Sequence, residues 1–164
     1  MIARAFEPIA SASSRILILG SLPGQESLRC GEYYAHPRNT FWRVMEAVVG
    51  IPANDPYVDR TRKLKQAGFA LWDVCRSARR SGSLDLAIEP GSVLVNDFGR
   101  FLSAHPGIQL IAFNGAKAAA IFRTQVDPME GIRLITLPST SPAHAAVSFA
   151  KKVAAWSVIR DGQP

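Results

Sequence analysis

The chain has 164 residues, 48% apolar and 20% charged, with a formal charge of +6. That length is most simply one domain, residues 1–164, able to bury a real core, and the composition excludes an intrinsically disordered chain. No apolar run approaches the roughly 18 residues that cross a bilayer, and the first 14 residues lack the apolar core of a signal peptide, so a cytoplasmic protein without membrane contact is expected.

Residues 1–14 read as a loose N-terminal arm. Arg15 to Gly20 is the first predicted strand, because Ile16 to Leu19 is too compact and β-branched for a surface helix. The loop Gly20-Ser21-Leu22-Pro23-Gly24 breaks it. Asn39 to Val49 carries a helix's punctuation: Asn39 as cap, Phe41, Val44, Met45 and Val48 at helical spacing, then Gly50 and Pro52 as stops. A short polar helix follows around Arg60 to Ala67, and Phe69 to Val74 is the second strand. The segment RSARRSGS reads as a loop.

A helix is expected from about Ser92 to Ala104, with Leu94, Phe98, Phe101 and Leu102 on one face. Ile108 to Phe113 is the third strand, leading through Asn114-Gly115 into the helix AKAAAIFR. Ile132 to Leu137 is the fourth, followed by Pro138-Ser139-Thr140-Ser141-Pro142. A last helix covers roughly Ala145 to Ile159. Short apolar strands alternating with helices imply an α/β fold with a parallel sheet covered on both faces.

Each strand runs directly into a polar or Gly-rich segment, and in a parallel sheet those four segments share one edge. Ser21, Asp73, Asn114, Ser139, Ser141 and His144 are thereby expected around one crevice. The basic residues concentrate in the first half. Arg38, Arg76, Arg79 and Arg80 follow apolar runs in predicted loops, where a nucleic-acid backbone can be met, whereas Arg60 to Lys65 fits a solvated helix face as well.

Several chemistries fit that edge badly. Cys30 and Cys75, in no C-x-x-C spacing, exclude a four-cysteine zinc or iron–sulfur site within the chain. His36, His105 and His144 have no ligand spacing, so no metal is expected. GSLPG lacks the central serine of a nucleophile elbow, and Ser141 near His144 in a Pro-rich loop reads as turn chemistry. GSLPG is also not G-x-G-x-x-G, although its N–H groups suit an anion or a developing negative charge. Tyr33 and Tyr34, before a proline-stiffened turn, are either a stacking platform or packing residues. Asn39 is either a helix cap or a functional amide.

Taken together, GSLPG, YYAHPRNTFW and LPSTSPAH resemble the uracil-DNA glycosylase superfamily, and most closely its hypoxanthine-DNA (deoxyinosine) glycosylase family. YAHPRNTFW is also similar to the corresponding run of the mismatch-specific uracil-DNA glycosylases. The resemblance implies a three-layer α/β/α sandwich around a four-stranded parallel sheet. It also implies a cofactor-free monofunctional hydrolase that flips a deaminated nucleotide out of DNA, hypoxanthine first and uracil or xanthine second. Its partner would be DNA containing deaminated bases, and the protein is expected to act as a monomer without an iron–sulfur cluster.

By the same resemblance, Asn39 would hold the attacking water. Tyr34 would stack on the flipped base with Tyr33 beside it, and the backbone of Gly20, Ser21, Leu22, Pro23 and Gly24 would meet the base edge. Asp73 would contact the base or a water. Ser139, Thr140 and Ser141 would grip phosphates while Pro142, Ala143 and His144 approach the minor groove, with Arg38 and Arg76 on the DNA side. The chain departs from the pattern at two places. Leu22 stands where the mismatch enzymes have asparagine, and Leu137 where the uracil enzymes have histidine. Both departures suit a purine leaving group better than uracil. A mismatch-type uracil enzyme and a catalytically silent damaged-DNA binder are the alternatives.

Overall fold

The computed structural model describes residues 1–161; the last three residues of the expected domain lie outside the described residues. In chain order the strands are β1 (Ile2–Arg4), β2 (Ile16–Gly20), β3 (Phe69–Asp73), β4 (Cys75–Arg79), β5 (Leu94–Val95), β6 (Leu110–Asn114) and β7 (Arg133–Leu137). The helices are α1 (Gln25–Cys30), α2 (Phe41–Val49), α3 (Tyr57–Gln66), α4 (Phe98–Ala104), α5 (Ala116–Gln125), α6 (Phe149–Trp156) and α7 (Val158–Asp161). Four strands form a parallel sheet in the order β3-β2-β6-β7, so all of them end at the same edge.

The strand sequences explain why this sheet is covered on both faces. In β2, Leu17 and Leu19 join a core that contains Phe98 and Phe101 of α4 and Ala118, Ile121 and Phe122 of α5. Ile16 and Ile18 point the other way, into a core with Phe41, Val44 and Met45 of α2, Leu64 of α3 and Trp156 of α6. Period-two alternation of two apolar sets needs apolar residues at every position, which is what a strand buried on both sides shows. The α/β/α sandwich with a four-stranded parallel sheet is therefore the observed architecture.

Helix ends follow local chemistry. Gly50, at φ 77°, closes α2 in the left-handed conformation that glycine adopts freely. Ser148 caps α6 by accepting from the Lys151 N–H. The basic helix α3 buries only Leu64, and its charges have local partners: Arg62 with Asp59, Lys63 with Asp55, and Arg60 over the Trp42 ring at 4.6 Å. That run is a solvated face.

Four expectations are corrected. The N-terminal residues are not a loose arm: Ile2–Arg4 pairs antiparallel with β4, and Ile9 bridges Leu71. For the same reason RSARRSGS is not all loop, since Cys75–Arg79 is a strand held between β1 and β5. The helix expected from Ser92 begins only at Phe98, capped by the Asp97 side chain on the Arg100 N–H. Upstream, the Asn96 N–H donates to the Val74 carbonyl and its side-chain amide donates to the Asp73 carbonyl, which holds the chain extended and leaves Leu94 half in solvent. The final helix likewise starts at Phe149 rather than Ala145, because Pro142–His144 forms a separate 3₁₀ turn.

Candidate active site

The shared edge opens into a cleft of about 620 Å³, within the span of roughly 300–1,000 Å³ common to ligand sites. Its wall takes in Ser21, Asp73, Asn114, Ser139, Ser141 and His144, the six residues that strand order alone brings together, and also Tyr34, Arg38 and Asn39. His105 lies elsewhere, stacked on Phe101. Among the described residues no three His, Cys, Asp or Glu side chains converge as a metal site requires, and both cysteines are free.

Asn39 sits half-buried on the cleft wall, just before α2. Its Oδ1 accepts from the Phe41 N–H at 3.0 Å, so the amide caps the helix even though the helix proper begins after Thr40. An amide oxygen has two lone pairs, and this bond occupies one of them. Cap and water-holder are compatible roles.

The two tyrosines divide. Tyr33 is 4% exposed, and its hydroxyl donates to the Glu7 carbonyl while its ring meets Phe6 edge-on. It is a packing residue that only touches the cleft wall. Tyr34 has the one positive φ among described non-glycine residues, 56°, and stacks on Phe41 with centroids 4.1 Å apart. Its hydroxyl is buried without a hydrogen-bond partner, and burial, then the Asp73 charge, pushes its pKa up, with the Asn114 amide working weakly the other way. Tyr34 therefore stays a neutral donor.

Asp73 ends β3 at 3% exposure, with Oδ2 unpartnered. Burial above all, then the nearby Asp85 carboxylate, pushes its pKa up to about 7 against the opposing pull of Arg80. Gly20 is what lets these groups meet. A Cβ there would stand 2.6 Å from Asp73 Oδ1 and 2.9 Å from Tyr34 Oη, so only glycine leaves both side chains in place. An unpartnered acid and an unpartnered phenol thus share the cleft floor beside the end of β2.

The Gly20–Gly24 loop is held from behind. Arg80 is not on a DNA-facing loop, as its position in RSARRSGS implied: it is 2% exposed. Its guanidinium donates to the Leu22, Pro23 and Gly82 carbonyls. With the carbonyls turned back onto Arg80, the N–H groups of Ser21, Leu22 and Gly24 meet no protein acceptor among the described residues. The Leu22 side chain faces the core, 6% exposed, so this residue offers the cleft its backbone. Ser21 donates to Asp85 at 2.6 Å, which draws the 80s loop over the cleft. Asp85 had no local signal in the sequence; only its fold-back across 64 positions places it here.

The loop after β7 needs the largest correction. Thr140 does not grip phosphate: it is fully buried. Asn114 Oδ1 accepts from the Thr140 N–H and Asn114 Nδ2 donates to Thr140 Oγ1, both at 2.9 Å, while the Thr140 carbonyl accepts from the Thr40 N–H. This latch ties the ends of β6 and β7 to the start of α2. Ser139 and Ser141 accept from the Ser141 and Ala143 N–H groups and so shape the turn, leaving their hydroxyl protons to donate outward. Pro142, Ala143 and His144 line the mouth, and Arg38 is exposed on the same rim. Arg76 is exposed on β4 and does not line the cleft. Replacing Asn114 with Ala should cost about 2–4 kcal/mol in urea unfolding, since it orphans two buried Thr140 groups, and should loosen the mouth.

The sequence profile described as the Uracil DNA glycosylase superfamily matches residues 8–160. The chain belongs to the uracil-DNA glycosylase superfamily. It is similar to a Hypoxanthine DNA glycosylase of Methanosarcina acetivorans, 37% identical over 152 residues that cover 90% of this chain and 92% of the relative. A Hypoxanthine DNA glycosylase of Methanosarcina barkeri is 37% identical over 114 residues, covering 69% and 71%. A solution NMR structure from Methanosarcina acetivorans, described as a candidate uracil DNA glycosylase, superposes with a TM-score of 0.78 at 34% identity, over 98% of this chain and 99% of that one. The superfamily and sandwich expected from the three motifs are thus the ones found.

Proposed function

We propose that this member of the superfamily is a monofunctional DNA glycosylase that hydrolyses the N-glycosidic bond of deaminated bases in DNA, with hypoxanthine its principal substrate. One observation carries the reading: a half-buried amide, Asn39, and a buried, unpartnered acid, Asp73, line the same cleft. The names of the two archaeal relatives support the choice of base.

The extruded base enters between the Gly20–Gly24 loop and Tyr34. Asp73, neutral below about pH 7, donates a hydrogen bond to a ring nitrogen or carbonyl oxygen of the base, with the Tyr34 hydroxyl beside it. As the bond from C1′ breaks, its electron pair goes to the base, which takes up the proton of Asp73. The second lone pair of Asn39 Oδ1 holds the water whose oxygen then bonds to C1′ and which gives up a proton to solvent, from which Asp73 is protonated again. The free N–H groups of the Gly20–Gly24 loop meet charge that develops on the departing base. Ser139 and Ser141 hydroxyls, with Arg38, face the phosphates, and His144 faces the groove.

Leu22 and Leu137, both buried in the cores, leave the uracil-type polar groups absent and favour a purine leaving group, which departs protonated. The reaction needs no cofactor, and we assign it to a monomer without an iron–sulfur cluster. The test is alkali-labile strand cleavage of deoxyinosine-, uracil- and xanthine-containing oligonucleotides. Inosine cleavage fastest of the three is expected. Uracil fastest would make it a mismatch-type uracil enzyme, and binding without abasic product would make it a silent damaged-DNA binder.

A further inference from the structure

Ser21 is the first residue after β2; it is buried and lines the cleft. Its hydroxyl donates to Asp85 Oδ1 at 2.6 Å, and Asp85 lines the same cleft. A serine hydroxyl has one proton and two lone pairs and turns to suit whatever it meets. Here the proton is committed to a carboxylate, a charge-assisted bond that is stronger than a neutral one. What is left for anything entering the cleft is lone pairs, so Ser21 is held as an acceptor. Beside it, the N–H groups of Ser21 and Leu22 meet no protein acceptor among the described residues. The end of β2 therefore presents donors next to an acceptor whose polarity is fixed.

That order matches the change deamination makes to a base. Adenine shows an amino donor beside a ring nitrogen that accepts. In hypoxanthine a carbonyl oxygen replaces the amine, and the neighbouring ring nitrogen now carries a proton and donates. Cytosine and uracil differ in the same way. A wall of donor beside fixed acceptor pairs with the deaminated base and opposes its parent at both positions, and a buried polar wall left unpaired rejects strongly. Guanine presents the same pair as hypoxanthine and is not distinguished by this contact.

We propose that Ser21 Oγ accepts from the ring N–H that deamination creates, while a neighbouring loop N–H donates to the new carbonyl. Asp85 does not touch the base. It is a positioning residue that keeps the Ser21 proton out of the cleft, so that adenine and cytosine find no donor there. The inference deepens the reading proposed above and rests on it for a flipped base beside the Gly20–Gly24 loop, but not on which deaminated base is cut.

The test compares duplexes carrying deoxyinosine with duplexes carrying purine deoxyriboside, which keeps the accepting ring nitrogen and has no group at position 6. Cleavage and binding by fluorescence anisotropy are both measured in the full chain. Each variant is referred to wild type, so the lability of each nucleoside cancels. Wild type should prefer deoxyinosine. Ser21→Ala should lower the inosine-to-purine ratio about tenfold or more, because deoxyinosine loses its acceptor while the purine loses an opposing lone pair. Asp85→Asn, nearly the same shape, can donate to Oγ and turn the hydroxyl toward the cleft. It should lower the ratio by gaining on the purine, and it decides the matter if Ser21→Ala does not fold.

Equal slowing of both substrates in both variants overturns the proposal and makes the Ser21–Asp85 bond a tether for the 80s loop. Wild type that cuts deoxyinosine while the ratio stays put in the variants overturns it too and leaves the hydrolase standing. Wild type that cuts neither duplex but binds the inosine one better, through Ser21, would sink the hydrolase and leave the base contact. Equal binding of both duplexes without cleavage overturns both.

Discussion

Asn39→Ala is expected to slow single-turnover cleavage of a deoxyinosine duplex by about 10²–10⁴-fold, the usual consequence of losing a positioned group that handles the attacking water. The same substitution uncaps α2, because Oδ1 also accepts from the Phe41 N–H at 3.0 Å. Removing the cap alone costs about 1 kcal/mol, too little to unfold a domain of ordinary stability. Asn39→Ser separates the two roles. Serine caps a helix about as well as asparagine, but its shorter side chain does not reach the water. Stability close to wild type together with the full kinetic loss is the expected result. If Asn39→Ser cleaves like wild type, the side chain is a cap and nothing more.

The second large effect belongs to Asp73. Because its pKa is raised to about 7, chiefly by burial, the donating form is lost as pH rises through neutrality. The wild-type rate should fall accordingly between pH 6 and 8. Asp73→Asn keeps a permanently neutral donor of nearly the same shape but cannot pass a proton. It should be about 10²-fold slower at pH 6 and show a flatter profile, so the two rates approach each other at pH 8. A rate ratio that does not change with pH would remove Asp73 from the proton-transfer step.

Stability should move in the same direction, over a lower range of pH. A carboxyl whose folded pKa lies above its unfolded value binds more protons when folded, so stability falls as pH rises from about 4 to about 7 and is level beyond. Asp73→Asn removes that fall. The variant should melt like wild type below about pH 4 and above it at pH 8, by roughly 2–4 °C for each kcal/mol in a chain of this length. Equal melting temperatures at pH 8 would mean that Asp73 is ionised and partnered in solution.

Where sequence reading failed, it failed for one reason. Residues 1–14 and RSARRSGS each look like loop because neither holds an apolar run. They become β1 and β4 by pairing with each other, Ile2 against Arg79. A strand that draws its stability from a partner more than 70 positions away leaves little local trace, since sheet preference depends mainly on what lies across and above it. Leu94 was placed on a helix face by spacing, but Asn96 spends its amide on the Asp73 carbonyl and pulls that stretch straight. Thr140, a phosphate ligand by the family resemblance, is instead a latch, because Asn114, 26 positions earlier, ends the neighbouring strand at the same level.

The four central strands were legible by themselves. Their short, fully apolar runs can satisfy both faces only inside a parallel sheet, and that arrangement forces their C-terminal loops to one edge, which is why the cleft could be located from the chain alone; Asn39 was added by the resemblance of YYAHPRNTFW to the family's run. What the sequence could not express was protonation, contact and aim. The raised pKa of Asp73 arises from burial and the nearby Asp85 carboxylate, and the role of Arg80 from its enclosure behind the Gly20–Gly24 loop. Each of these is a property of surroundings assembled from distant segments, and desolvation exists only once those segments have closed around the group.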